Sequence, residues 1–372
     1  MIKDKDILFV AGDLGVGGAQ MHLVDLVNHL DAHIHPAIFI LNNQDALAGK
    51  IKPSVQIHKV LRHWRFDTSP ANIIAEQITT KNFSSFFAIN LFAFVFLALA
   101  RKRSKLDFPI NVIVHTTQVR GLTDFLRLIG FSRLRRPQDK FISVCQAQAR
   151  YFAEHYFVAR DSFLTIYNGV DTARFIVRPS SFNADQFREL WGIPSNSKVI
   201  VQVATFRKEK RHQDSVEALL LMHLNGAENV YLLFVGGGNE SIESGLRALV
   251  RKANLDKYVK FCGMQEDVRP FYWISDCFTL SSDAIETFSI SALEAMASGL
   301  PCVITDLGGA REMVTDVENG FVVPIRNPKA LAEGWQKVLN GVLSLDQNAI
   351  REIVTRRFSM ESMVRSYETL IN

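Results

Sequence analysis

Short unbroken apolar runs alternate along this chain with longer stretches of helical spacing. The runs stand at ILFV (7–10), PAIFIL (36–41), NVIVHT (111–116) and FISVC (141–145). They recur at KVIVQVAT (198–205), VYLLFVGGG (230–238), VKFCG (259–263), CFTLSS (277–282), PCVITD (301–306) and GFVVPI (320–325). Segments such as AQMHLVDLVNHL (19–30) and QAQARYFAEHY (146–156) carry the helical period between them. Strands that are apolar at every position are covered on both faces, and strands separated by helices pair in parallel. The pattern therefore predicts an α/β chain with two doubly wound, Rossmann-like parallel sheets. A length of 372 residues suits two domains. The polar stretch near 176–195 predicts the boundary, giving 1–178 and 179–355. Ligands of such sheets bind at the carboxyl ends of the strands, so two facing domains are expected to enclose an interdomain cleft there.

One segment admits two readings. Residues 82–100 (NFSSFFAINLFAFVFLALA) carry no charge and end at Arg101, Lys102 and Arg103. The length approaches that of a membrane span, and basic flanks accompany such spans. Ser84, Ser85 and Asn90 fit a buried strand at 86–89 followed by a helix from Leu91 into Arg101 better, and that unit is the preferred expectation.

Composition narrows the class. Hydrophobic residues make up 48% and charged residues 22%, as in a globular protein. The four cysteines (145, 262, 277 and 302) form neither a CxxC pair nor a zinc-spaced cluster, so a reducing compartment is the default. The start, MIKDKDILFV, reads as a strand after a charged lead-in rather than as a signal peptide. The net charge of +4 is uneven. Residues 1–180 hold 22 Lys/Arg against 14 Asp/Glu (+8), and residues 181–372 hold 20 against 24 (−4). Residues 101–150 alone hold 11 against 3. Within them GLTDFLRLIGFSRLRR (121–136) mixes cations with Phe125, Leu128 and Phe131, as an interfacial helix would. A solubilising surface is the plainer alternative; docking on an anionic membrane face is the functional one, and no nucleic-acid partner is expected.

Four patterns carry candidate chemistry. GDLGVGGAQ (12–20) follows a strand and opens a helix, but Gln20 stands where the dinucleotide fingerprint needs glycine, and no Walker lysine is present. What remains is either a plain tight turn or a glycine loop, around Gly17 and Gly18, whose amides admit an anion. In SSDAIETFSISALEAMASGLPCVITD (281–306), Glu286 lies in a loop and Glu294 in the helix after it, which Gly299 ends. A ligand across that helix N-terminus meets both carboxylates. FRKEKRHQDS (206–215) crowds Arg207, Lys208, Lys210 and Arg211 into a strand-to-helix loop, as a diphosphate site or simply a solvated charge run. His115 ends a strand, as a structural residue or one facing the expected cleft. Asp4 and Asp6 have DxD spacing but precede the first strand, at its wrong end, so no metal is expected.

In order and spacing these segments resemble glycosyltransferase family 4, on the GT-B fold. The resemblance runs through GVGGAQ (15–20), HT (115–116), NGVDTARF (168–175), the loop with Lys210, VGGG (235–238), Glu286 and Glu294 with LEAMASGLPCV, GGAREMV (308–314) and NGFVVP (319–324). It implies a retaining, metal-independent glycosyltransferase, with no cofactor, that takes a UDP- or GDP-linked sugar to a glycan or lipid-linked acceptor. A cytoplasmic role in surface-polysaccharide or envelope synthesis, peripheral on the plasma membrane's inner face, goes with it. By position, Gly17 and Gly18 approach the donor phosphate, Lys210 neutralises the leaving diphosphate, and Glu286 contacts the sugar. The backbone of Phe288, Ser289 and Ile290 lies near its hydroxyls and phosphate, Glu294 binds the ribose, and His115 lines the sugar side. The last segment, 356–372, is expected to form a helix that packs back toward the N-terminal domain. Thr205 stands where family members often carry arginine, and Arg207 is the candidate replacement. Thr287 and Ser289 flank Phe288 where Gly-Phe-Gly is usual. The rivals are a nucleotide-sugar-binding protein without catalysis, an epimerase and a phosphorylase.

Overall fold

Phe86, Phe87, Ala88 and Ile89 show how the sheets are built. Consecutive residues point to opposite faces, and here Phe86 and Ala88 enter one hydrophobic core while Phe87 and Ile89 enter another. Both faces are covered, so the strand is apolar throughout. In the computed structural model, which describes residues 4–15, 17–64, 66–115, 133–155 and 160–371, this strand belongs to a seven-stranded parallel sheet. Its members are β1 (Lys5–Ala11), β2 (Ile34–Ile40), β3 (Gln56–Lys59), β4 (Phe83–Ile89), β5 (Asn111–Val114), β6 (Lys140–Ser143) and β7 (Phe163–Thr165), in the order β3-β2-β1-β4-β5-β6-β7. The second sheet has six parallel strands, β8 (Lys198–Val203), β9 (Val230–Val235), β10 (Val259–Gly263), β11 (Cys277–Leu280), β12 (Cys302–Thr305) and β13 (Gly320–Val323), ordered β10-β9-β8-β11-β12-β13.

The uncharged segment is a strand and a helix. Asn90 turns the chain at φ 78°, and its side-chain oxygen accepts from the amides of Phe92 and Ala93, starting the helix Asn90–Ser104. Fifteen residues at 1.5 Å each reach about 22 Å, short of a hydrocarbon core of about 30 Å. Among the described residues no helix is long and apolar enough to cross a membrane.

The chain divides into two units, Met1–Asn168 with Met360–Asn372, and Gly169–Ser359. The breaks expected at 178/179 and 355/356 therefore move to 168/169 and 359/360. Residues 169–178 were expected in the first domain, yet their backbone is pinned within the second unit. Val170 N donates to Phe358 O at 2.9 Å, Arg351 donates to Thr172 O at 2.6 Å, and Trp273 Nε1 donates to Ile176 O at 2.8 Å. The helix Met360–Ile371 belongs to the first unit, where it buries Met360, Met363, Val364, Tyr367 and Ile371.

Candidate active site

In the second sheet the crossover direction reverses between β8 and β11. From β8 the chain moves out to β9 and β10, and from β11 to β12 and β13. Loops leaving the carboxyl ends of two such strands splay apart, which makes the switch point the place for a ligand. Lys210 follows β8 and Glu286 follows β11. The fold brings them into an ion pair, Lys210 Nζ with Glu286 Oε2, each side chain about one-fifth exposed.

Both loops are held by groups from elsewhere. Ser281, fully buried at the end of β11, has its hydroxyl 3.0 Å from Lys210 O and 2.9 Å from Arg211 O. Behind it, the Ser215 hydroxyl donates to Gln202 Oε1 at 2.7 Å. The glycines of 236–238 let two backbones meet. Phe206 N donates to Gly237 O at 2.8 Å, and a Cβ on Gly236, at φ 145°, would sit 2.2 Å from Ala204 O. Gly308 does the same for the other loop. At φ 58° its hypothetical Cβ would lie 2.3 Å from Thr287 O and 2.4 Å from Glu286 O, while Gly309 N donates to Thr287 O at 2.7 Å. Ile285, β-branched and at φ 61°, adds strain just before the carboxylate.

The basic loop resolves into distinct roles. Arg211, in the left-handed region at φ 48°, donates to Asp214 at 2.7 and 3.1 Å. That hydrogen bond raises its pKa further. Arg207 and Lys208 are exposed, and Arg207 forms no ion pair among the described residues. His212 packs against Phe206 and Phe234, and burial pushes it down to about 3, with Lys210 adding to the shift.

After Glu286 the chain passes buried Thr287 and Phe288 to Ser289, which caps the helix Ile290–Ala297 by accepting from Ala292 N at 3.2 Å. The amides of Ile290 and Ser291 belong to the first turn, where no intrahelical carbonyl reaches. One turn on, Glu294 accepts from the Tyr272 hydroxyl at 2.9 Å.

The first unit holds its own constellation. Here the switch point falls between β1 and β4, and the glycine loop leaves β1. Leu14 N donates to Gln44 O at 2.7 Å and Gly15 N to Asp13 Oδ1 at 3.0 Å, which fixes the loop's path. Gly17 is extended at φ −172° and caps the helix Gly18–His29. Among the described residues nothing lies within 4 Å of a Cβ built on Gly18, which leaves the start of this helix room for close approach. His22 of that helix is buried and its ring meets His115 edge-on, with centroids 4.7 Å apart. His22 Nε2 is 3.0 Å from the Tyr367 hydroxyl. Burial pushes His22 down to about 4 against a smaller upward pull from Asn168. His115 is half-buried as a residue and its Nε2 is shut off from solvent, and burial carries its pKa well below the usual value. Both imidazoles are neutral at pH 7. Asp4 and Asp6 lie at the opposite end of β1 from the glycine loop. The amphipathic reading of 121–136 lies, up to residue 132, outside the described residues.

Against known proteins, a family model described as "Glycosyltransferase Family 4" matches residues 16–174, and one described as "Glycosyl transferases group 1" matches residues 183–353. Together they span nearly all of both units. This chain belongs to glycosyltransferase family 4. Among relatives of the glycosyltransferase, N-acetyl-alpha-D-glucosaminyl L-malate synthase of Bacillus anthracis is 25% identical over 95% of this chain and 93% of its own length. A lipopolysaccharide core biosynthesis glycosyltransferase of Rhizobium meliloti is 28% identical over 48% of this chain and 51% of its own. The Anabaena protein Alr3699/HepE, solved in complex with UDP, superposes with a TM-score of 0.85 at 20% identity, covering 98% of this chain and 99% of that one. WaaG, a glycosyltransferase involved in lipopolysaccharide biosynthesis, gives 0.73 at 16% identity, covering 98% and 99%. The glycosyltransferase thus has the two-domain GT-B fold.

The site residues named from the sequence are Gly17, Gly18, His115, Arg207, Lys210, Glu286, Phe288, Ser289, Ile290 and Glu294. Tyr272, Gln202, Ser281, His22 and the packing roles of Gly236 and Gly308 were not among them. A signal existed for His22, a polar residue on the core-facing stripe of an amphipathic helix. Tyr272 sits 22 residues before Glu294 with no periodicity to link them.

Proposed function

We propose that this glycosyltransferase is a retaining, metal-independent enzyme that moves a sugar, a hexose or another, from a nucleotide-sugar donor to a glycan or lipid-linked acceptor. The observation that carries the reading is the Lys210–Glu286 pair at the β8/β11 switch point. A nucleotide sugar across that point meets an ammonium at its diphosphate and a carboxylate at its sugar. When the bond from C1 to the phosphate oxygen breaks, negative charge grows on the phosphate and positive charge on the ring. Fixed charges of matching sign stabilise that separation. The amides opening Ile290–Ala297 extend the anion site, Arg207 is a second cation within reach of solvent-borne phosphate, and Glu294 takes the ribose hydroxyls.

In the first unit the backbone at Gly17 and Gly18 is suited to close approach by a phosphate, and His115, being neutral, is suited to a hydrogen bond with a sugar hydroxyl rather than to a charge. The acceptor oxygen bonds to C1 on the face the phosphate leaves, and its proton passes to a phosphate oxygen. No metal or cofactor is needed in this scheme, since Lys210 and the helix amides supply the electrophilic charge. The UDP and UDP-glucose complexes of the Anabaena neighbour support a uridine-linked donor, with GDP-linked sugars as the alternative.

The lipopolysaccharide-related relatives support an envelope or surface-polysaccharide role at the cytoplasmic face of the membrane. Exposed Lys102, Lys105, Lys140 and Arg150 are suited to an anionic bilayer. Arg101 contributes nothing to that surface, because it is enclosed with Asp139. A panel of UDP- and GDP-sugars, assayed for transfer and hydrolysis with and without EDTA, tests the reading, with the product anomer read by NMR. Activity that survives chelation and gives an α-product from an α-donor is expected. Loss on chelation with recovery on adding Mg²⁺ or Mn²⁺, or an inverted product, refutes it.

A further inference from the structure

Glu294 projects from a helix whose neighbouring residues Ala292, Leu293, Ala295, Met296 and Ala297 are all fully buried. A carboxylate in that company requires a hydrogen-bond donor. Tyr272, itself 1% exposed, supplies one across 2.9 Å. The Ser291 carbonyl lies 3.3 Å from the same hydroxyl, and the charged, nearer acceptor takes the proton. The ring cannot swing away. Phe175 and Phe278 meet it edge-on, each with centroids 6.2 Å apart, and the next residue, Trp273, is anchored through Nε1 to Ile176 O. Burial first, and the Glu294 charge second, push the phenol well above its ordinary pKa, so it stays a donor throughout the working range.

We propose that Tyr272 is a positioning residue for nucleotide recognition: its hydroxyl fixes the Glu294 carboxylate in the one orientation that meets both vicinal hydroxyls of the donor ribose. The inference rests on the reading of Glu294 as the ribose-binding group. Discrimination between a ribonucleotide and its dideoxy counterpart then depends on an oxygen that never touches the ligand. Tyr272→Phe keeps the ring and its aromatic neighbours while removing only that oxygen.

The experiment titrates UDP and GDP, each beside its 2′,3′-dideoxy form, calorimetrically into wild type, Tyr272→Phe, Glu294→Gln and the double variant. Wild type should prefer the better-bound ribonucleotide to its dideoxy form. Tyr272→Phe should weaken that ribonucleotide about three- to tenfold, the range of one ordinary net hydrogen bond. The dideoxy form should change less than twofold. With the parent nucleotide sugar, KM should rise while kcat holds. In the Glu294→Gln background Tyr272→Phe should add nothing. Equal losses on ribo and dideoxy forms, or a full additional loss in that background, overturn the proposal and leave Tyr272 a packing residue. A wild type that does not tell ribo from dideoxy overturns the ribose assignment of Glu294 itself, a separate failure. Glu294→Asp, which withdraws the carboxylate and leaves Tyr272 in place, should also lose discrimination, and unchanged discrimination there counts against the proposal should Tyr272→Phe fail to fold.

Discussion

Arg101 opens the basic run that follows the apolar segment, and removing its partner is the sharpest test of how the first unit is held together. Its guanidinium and the Asp139 carboxylate are both 1% exposed and face each other as a fork, Nη1 to Oδ1 at 2.6 Å and Nη2 to Oδ2 at 2.9 Å. Arg101 also donates to Phe108 O at 2.9 Å and Leu134 O at 3.1 Å. Asp139 accepts from Ile110 N and Arg136 N, both at 2.8 Å. The pair thus ties the end of the helix Asn90–Ser104 to the chain entering β5 and the chain entering β6. A buried pair with all its hydrogen bonds made is roughly neutral against an apolar replacement, but losing one member strands a charge and costs about 3–5 kcal/mol. Asp139→Asn should cost that much, a large share of the roughly 5–15 kcal/mol that holds a domain folded. Arg101→Met combined with Asp139→Asn should recover most of it, because the stranded charge is gone and the amide oxygen of the substituted side chain still accepts from Ile110 N. Hydrogen exchange of β5 and β6 peptides reads the local change, with β9 peptides of the second unit as an internal reference. A loss below about 1 kcal/mol in Asp139→Asn, or strict additivity in the double variant, would falsify the stranded-charge argument.

Glu286→Ala should lower kcat about tenfold to a thousandfold with a smaller change in donor KM, whereas Glu294→Ala should act mainly on KM; steady-state kinetics that leave both variants at wild-type values remove the site assignment. Gly308→Ala should cost more than about 2 kcal/mol and most of the activity, because its Cβ would collide with the carbonyls of Glu286 and Thr287. Gly245→Ala, with open space inside the helix Glu240–Lys252, should instead gain up to about 1 kcal/mol. Acid should unfold the protein through its buried histidines. His22 and His212 have folded pKa values of about 4 and about 3 against 6.5 unfolded, so the unfolded chain binds the protons first. Their contribution is complete above pH 6.5 and is lost as pH falls toward 4 and 3, roughly 3 kcal/mol for His22 alone. Urea midpoints across that window check it, and a flat profile between pH 7 and 4 excludes it.

What could be read from the sequence, and what could not, follows from how far apart the interacting residues lie. Strands β1, β2, β4–β6 and β8–β13 were legible because burial on both faces writes an apolar run into consecutive residues. β3 (QIHK) and β7 (FLT) were not, since three or four residues at the edges of a sheet bury too little to leave a pattern. The candidate groups could be placed on the chain for a related reason. In a parallel sheet the loops of a switch point follow the carboxyl ends of strands, so the candidate residues Lys210 and Glu286 each stood just after an apolar run. Their precision comes from residues with no such local marker. Ser281 reaches back 71 positions to Lys210 O, and Gly308 makes room for the carbonyl of Glu286, 22 positions earlier. The basic loop shows the consequence most directly. Four cations within five positions look equivalent in the sequence. Only the fold shows that Arg211 is bound to Asp214, that Lys210 faces Glu286, and that Arg207 and Lys208 are exposed. A charge cluster in a strand-to-helix loop therefore marks a place suited to an anion, while the acid opposite each cation, Asp214 for Arg211 and Glu286 for Lys210, sets the role that cation can play.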